Sequence, residues 1–134
     1  MNPLSSPTHE LDPWALADLA RYGRSRGSEA LEHLVAAFAV ETRVATARLA
    51  SAANDGDLVE VAGEAHRLRG TSLGMAAAAL ARCCAQIEDA ARRGDTEELA
   101  KSIGHLHLCV PRALAALQRV LFGSVSADLT EAQR

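Results

Sequence analysis

From Asp12 to Leu121 the apolar residues of this chain return every three or four positions, a rhythm that restricts it to helices packed side by side. The pattern is continuous in Leu31, Leu34, Val35, Phe38, Thr42, Ala45 and Leu49, and resumes in Leu58, Val61, Ala62, Ala65 and Leu68. It continues through Leu80, Cys83, Cys84 and Ile87, then through Leu99, Ile103, Leu106, Val110, Leu114, Leu117 and Leu121. Hydrophobic residues make up 49% of the sequence but aromatic ones only 3%, so the core must be built from Leu, Val and Ala. Strands favour β-branched and aromatic residues, which argues against an all-β fold. The 134 residues suit one domain.

Capping residues mark the breaks. Asp12-Pro13 opens a short first helix carrying Trp14, Leu16, Leu19 and Ala20, expected to end at Gly23. Ser28 is expected to cap a second helix, and Asn54-Asp55-Gly56-Asp57 reads as a turn followed by the cap of a third. The third loosens between Gly70 and Gly74, and a fourth is expected from about Met75 to Arg93. Gly94-Asp95 ends that helix and caps a fifth, in which Pro111 should cause a kink or the loss of a hydrogen bond. Short connections between long amphipathic helices force antiparallel neighbours. The expected fold is therefore all-α, an up-down-up-down four-helix bundle with an additional short N-terminal helix packed on one end. Residues 1–10 read as a flexible arm, 11–122 as the bundle and 123–134 as a flexible C-terminal tail.

Several classes are disfavoured at once. A net charge of −3 argues against a nucleic-acid surface, which needs clustered Lys and Arg. No apolar run approaches the ~20 residues that span a bilayer. Met1-Asn2-Pro3-Leu4 lacks the charged start and apolar stretch of a secretory signal, so a cytoplasmic location is expected. The cysteines, adjacent Cys83 and Cys84 with a distant Cys109, form no C-x-x-C pair and read as small buried hydrophobes. His105 and His107 are two apart on different helix faces, and His33 lacks Glu-x-x-His partners, so no metal site is expected. His9 falls in the arm.

The third helix holds more than a bundle requires. At ~100° per residue its apolar positions cluster on one side, and His66 falls on the shoulder of that stripe, where the ring edge can reach water. Gly63 and Gly70 lie about a turn before and after it, each costing about 1 kcal/mol relative to Ala inside a helix. Two such residues flanking one histidine suggest that side chains are kept away from it.

The linear pattern is Ala65-His66-Arg67-Leu68-Arg69-Gly70, followed by Leu80, Cys84 and Ile87-Glu88. Over about residues 11–121 it closely resembles the histidine-containing phosphotransfer (HPt) domains of two-component phosphorelays, whose signature is A-H-x-L-K-G followed by L-x-x-x-C-x-x-L-E. The resemblance implies that His66 is the phosphorylation site, taking a phosphoryl group from a receiver-domain aspartate and passing it to another. Arg69 then stands for the family's lysine beside the phosphoryl oxygens, with a planar fork in place of a point charge. Glu88 matches a position that orients the histidine ring, and Gly70 one that clears the receiver's approach, with Gly63 at the edge of that surface. Ala76, where many members carry Gly, and Gly74, where a polar residue or Ala is common, depart from the pattern in the turn after the histidine helix.

The implied partners are receiver domains of response regulators or a hybrid histidine kinase, with the chain itself expected to be monomeric. No Gly-rich phosphate loop is present, so the chain reads as a phosphoryl carrier without its own ATP site. No cofactor is expected on it, and Mg2+ is expected on the receiver. The alternative is a non-catalytic HPt-like module that docks and inhibits a receiver or kinase. Retention of His66 favours the carrier.

Overall fold

The structure, a computed structural model, describes the backbone from Glu10 to Ala132 and the side chains through Gly123. The arm expected at 1–10 therefore lies outside the described residues except for Glu10. All regular structure among the described residues is helical: α1 (Pro13–Arg26), α2 (Ser28–Asn54), α3 (Leu58–Gly74), α4 (Ala78–Arg93) and α5 (Thr96–Ala132). Each of α2 to α5 packs on its sequence neighbour, and α2 closes the ring against α5, giving the expected four-helix bundle.

Local chemistry sets most ends. The Asp12 carboxylate accepts from the Trp14 backbone N–H at 2.9 Å, and Asp57 from that of Glu60 at 3.1 Å, each satisfying an orphan donor of a first turn. Gly94 ends α4 at φ 70°, a left-handed cap that glycine adopts without penalty.

Three boundaries differ from expectation. The first helix runs past Gly23 to Arg26, because Gly27, at φ 104°, is the residue that breaks the chain direction. Ser28 is the first residue of α2 and makes no side-chain cap bond. Met75, Ala76 and Ala77 form a buried turn, so α4 starts at Ala78. In that turn Ala76 has φ 63°, the left-handed region, which accounts for glycine being acceptable there in relatives of the pattern. The Asp12 N–H donates to the Ala76 carbonyl at 2.8 Å, and Leu11 is buried beside it, tying the start of α1 to this end of the bundle. Trp14, by contrast, is 84% exposed and takes no part in the core.

Pro111 lies inside α5 without interrupting its helical dihedrals. The only non-helical dihedrals inside that helix fall at Phe122 (φ −131°, ψ 15°). Pro111 removes one N–H donor, and its exposed position lets water reach the carbonyl so freed. The tail expected over 123–134 continues as helix as far as Ala132, and the last two residues lie outside the described ones.

The core follows the periodicity closely: Leu49, Val61, Leu68, Leu80, Ile87, Leu106 and Leu117 are essentially inaccessible. Burying a side chain of this size contributes about 1.5–3 kcal/mol. Cys84 fits the expectation of a small buried hydrophobe, and burial pushes its thiol up to about 12 despite the opposing pull of Arg69. The other two cysteines correct that expectation, since Cys83 and Cys109 are joined as a disulfide between α4 and α5. They are 26 residues apart and meet only because antiparallel helices face each other, a juxtaposition no local spacing reveals.

Candidate functional site

The inward side of α3 carries Val61, Ala62, Ala65 and Leu68, which fixes the rotation of the helix and turns its opposite face outward. Along that outer face Val59, Gly63, His66, Gly70 and Leu73 succeed one another at steps of three and four. At 100° per residue they fall within about 80° of the circumference, a narrow stripe with His66 at its centre. Val59 is 85% and Leu73 50% exposed, so open apolar surface flanks the histidine along the stripe.

The two glycines keep that stripe low. A Cβ at Gly70 would meet nothing within 4 Å, and one at Gly63 only the Arg67 guanidinium at 3.7 Å, an ordinary contact. Neither glycine is needed for helix packing or for a positive φ.

The His66 side chain is 60% exposed, yet one ring nitrogen is engaged. Nδ1 lies 3.2 and 3.3 Å from the two carboxylate oxygens of Glu88 on α4. Glu88 is buried and also accepts from Arg69 Nη1 at 3.4 Å, Arg92 Nε at 3.1 Å and Arg92 Nη2 at 2.6 Å. Burial pushes its carboxyl up, but the hydrogen bonds from Arg92 and His66 outweigh this and hold it below the usual carboxylate range. An ionised carboxylate is an acceptor only, so Nδ1 carries the ring proton and donates it to Glu88. Nε2 is left with its lone pair directed away from that contact, free to act as a nucleophile. Two guanidiniums around one carboxylate leave the cluster with a net positive charge, suited to an incoming anion.

The structure thus brings together His66, Arg69 and Glu88, three of the five residues singled out in the sequence, and places Gly63 and Gly70 on the stripe. Arg67 does not join them, for it is held by Glu60 at 3.3 Å and by the buried Glu64 at 2.6 Å. The sequence reading missed Arg92, although Glu88 and Arg92 stand four apart on one helix, the spacing of a favourable ion pair. It also missed a second convergence, in which His105 Nδ1 lies 3.6 Å from Cys83 Sγ and 3.8 Å from Cys109 Sγ. The group draws on two helices, so no local spacing in the sequence reveals it.

No helix among the described residues is long and apolar enough to cross a membrane. A search of curated proteins returns no match. The fold is similar to that of the crystal structure of histidine-containing phosphotransfer protein B (HptB) from Pseudomonas aeruginosa PAO1, with a TM-score of 0.73 and 23% identity, covering 84% of this chain and 94% of that one. The sequence itself matches the Hpt domain over residues 33–120, a span that runs from within α2 into α5 and contains His66, Arg69, Glu88 and both glycines. The chain belongs to the Hpt domain family.

Proposed function

We propose that this protein is a phosphorelay intermediate in which His66 Nε2 takes a phosphoryl group from the aspartyl phosphate of a receiver domain and returns it to the aspartate of another. In the first step the N–P bond forms as the P–O bond to the aspartate breaks, and the aspartate leaves as a carboxylate. The observation that carries this reading is the Nδ1 contact to Glu88, which fixes the tautomer and turns the nucleophilic nitrogen outward. Membership of the Hpt family supports it, as does the likeness of the fold to a histidine-containing phosphotransfer protein. The receiver supplies Mg2+ and the acidic pocket. This chain supplies the nucleophile, the cation of Arg69 and the apolar landing stripe, acts as a monomer in the cytoplasm and has no ATP site of its own. A module that only docks and inhibits would use the same stripe but has no need of a tautomer-fixing carboxylate.

Phosphotransfer profiling tests the proposal. The protein is mixed with each receiver domain of its host, pre-phosphorylated with radiolabelled phosphate, and is expected to take up acid-labile, alkali-stable label from at least one. Absence of transfer from every receiver, with binding retained, would establish the docking module instead.

Arg69 is drawn toward Glu88 before transfer and is close enough in sequence to turn to the phosphoryl oxygens afterwards. Arg69→Ala is expected to slow transfer about tenfold, the value of one charge-assisted contact, and Arg69→Lys to keep most of the rate. Stopped transfer reactions over time measure both, and an unchanged alanine variant would reduce Arg69 to a solvated charge.

Gly70 separates docking from folding. Open space around its Cβ position means that Gly70→Ala should melt at the same temperature or higher, by up to about 1 kcal/mol of stability. Gly70→Gln should also stay folded but transfer at least tenfold more slowly, because its side chain stands in the receiver's path. Gly63→Gln should show the weaker form of this defect. Early melting of Gly70→Gln with normal transfer by the folded fraction would assign the glycine to packing.

A further inference from the structure

We propose that, once the Cys83–Cys109 bridge is reduced, this chain binds a zinc-class ion through Cys83 Sγ, Cys109 Sγ and His105 Nδ1. None of these residues belongs to the His66–Glu88 cluster, so this inference and the phosphotransfer reading can fail independently. The three ligand atoms lie within 4.8 Å of one another. They come from two helices of the bundle, and His105 and Cys109 are one turn apart on a single face of α5.

The distances suit the ion. With Zn–S of 2.3 Å and Zn–N of 2.0–2.1 Å, a tetrahedral centre places nitrogen and sulfur ligands about 3.6 Å apart. The observed Nδ1 to Sγ separations are 3.6 and 3.8 Å. The Cα atoms of the two cysteines stand 7.1 Å apart, wider than the 4.4–6.8 Å within which most disulfides fall. Thiolates at that spacing can part to the about 3.8 Å that two sulfurs on one zinc require. Two thiolates with an imidazole form a soft donor set, which selects zinc and excludes magnesium or calcium.

The surroundings are consistent with an exchangeable ion. Both cysteines are buried, whereas His105 is exposed and opens the site to solvent. Arg82 and Arg112 border the same depression. Two thiolates cancel the charge of the ion, so the loaded site is neutral beside those guanidiniums. The fourth position falls to water or to Glu10, which lines the same depression.

Reduction by a phosphine and one water adds two electrons and the water's two protons to the S–S bond, and the phosphine takes the water oxygen to become its oxide. Zinc then displaces both thiol protons, so binding releases about two protons per ion and tightens as pH rises. The full chain, reduced with a phosphine, is titrated with Zn2+ in competition with a chromophoric chelator. One ion per chain is expected, with a raised melting temperature and protection of Cys83 and Cys109 from alkylation. Exposed His105 can be changed without disturbing the core, and His105→Ala should weaken binding at least tenfold. The Cys83→Ser/Cys109→Ser double variant should not bind. The wild-type alkylation pattern decides the matter even if that double variant does not fold. Absence of stoichiometric uptake, equal uptake without reduction, or full affinity in His105→Ala would overturn the site.

Discussion

His66→Gln is expected to abolish phosphoryl uptake from a phosphorylated receiver while leaving the bundle folded. Glutamine keeps an N–H that can reach Glu88 but has no lone pair able to form the N–P bond. No described histidine offers a substitute, because none of the others has a carboxylate contact on one ring nitrogen. His105 is turned toward two sulfurs instead. The His66 side chain is 60% exposed, so its replacement should shift stability by no more than about 0.5 kcal/mol. Radiolabel transfer, with a thermal melt of the same preparation, measures both quantities. Undiminished labelling of the variant would remove His66 from the mechanism.

The division between what the sequence disclosed and what it hid follows from the range of the interactions involved. Helix number, order and inward faces were legible because periodicity is local, as the buried series Val61, Ala65, Leu68 and the series Leu80, Cys84, Ile87 demonstrate. Helix ends were less legible where two candidate breakers stood close together. Gly23 and Gly27 look alike in sequence, and only the second needs a positive φ. A Cβ at Gly23 would come within 2.8 Å of a Leu31 methyl, so that glycine serves a close approach between α1 and α2.

The site divides in the same way. His66 and its flanking glycines lie on one helix and could be placed by angle alone. Glu88 sits on the next helix, and its contact with His66 Nδ1 at 3.2 Å exists only in the folded chain. Arg92, although four residues from Glu88, gains its part only because Glu88 is buried and already shared. The Cys83, His105 and Cys109 group is wholly tertiary: its helix-local half, two residues four apart, has no meaning until α4 supplies the other sulfur.

Glu88 offers the second large effect, and as a positioning residue it needs a readout that a merely structural role would not move. Without the carboxylate, the proton of the imidazole is free to sit on either nitrogen, and the Nε2 lone pair is no longer assured. Glu88→Ala is therefore expected to slow transfer by about ten- to a hundredfold, the size of the loss when the partner that orients a metal-bound imidazole is removed. Glu88→Gln, which keeps an acceptor oxygen but not the charge, should fall between the alanine variant and the wild type. Nitrogen-15 spectra of the ring should report mostly Nδ1–H in the wild type and a mixture of tautomers in Glu88→Ala. The same carboxylate gives a pH signature. Its folded value is lowered, so its stabilisation is complete above the ordinary glutamate value of about 4.3 and is lost as pH falls through the folded value. Glu88→Gln should accordingly melt below the wild type at pH 7, and the difference should shrink as pH falls below about 4.3 and close only below the folded value. A Glu88→Ala protein that transfers at the wild-type rate with an unaltered tautomer would show that Arg92 and Glu88 merely tie the helix surface together. The orientation of His66 would then have to come from the approaching receiver.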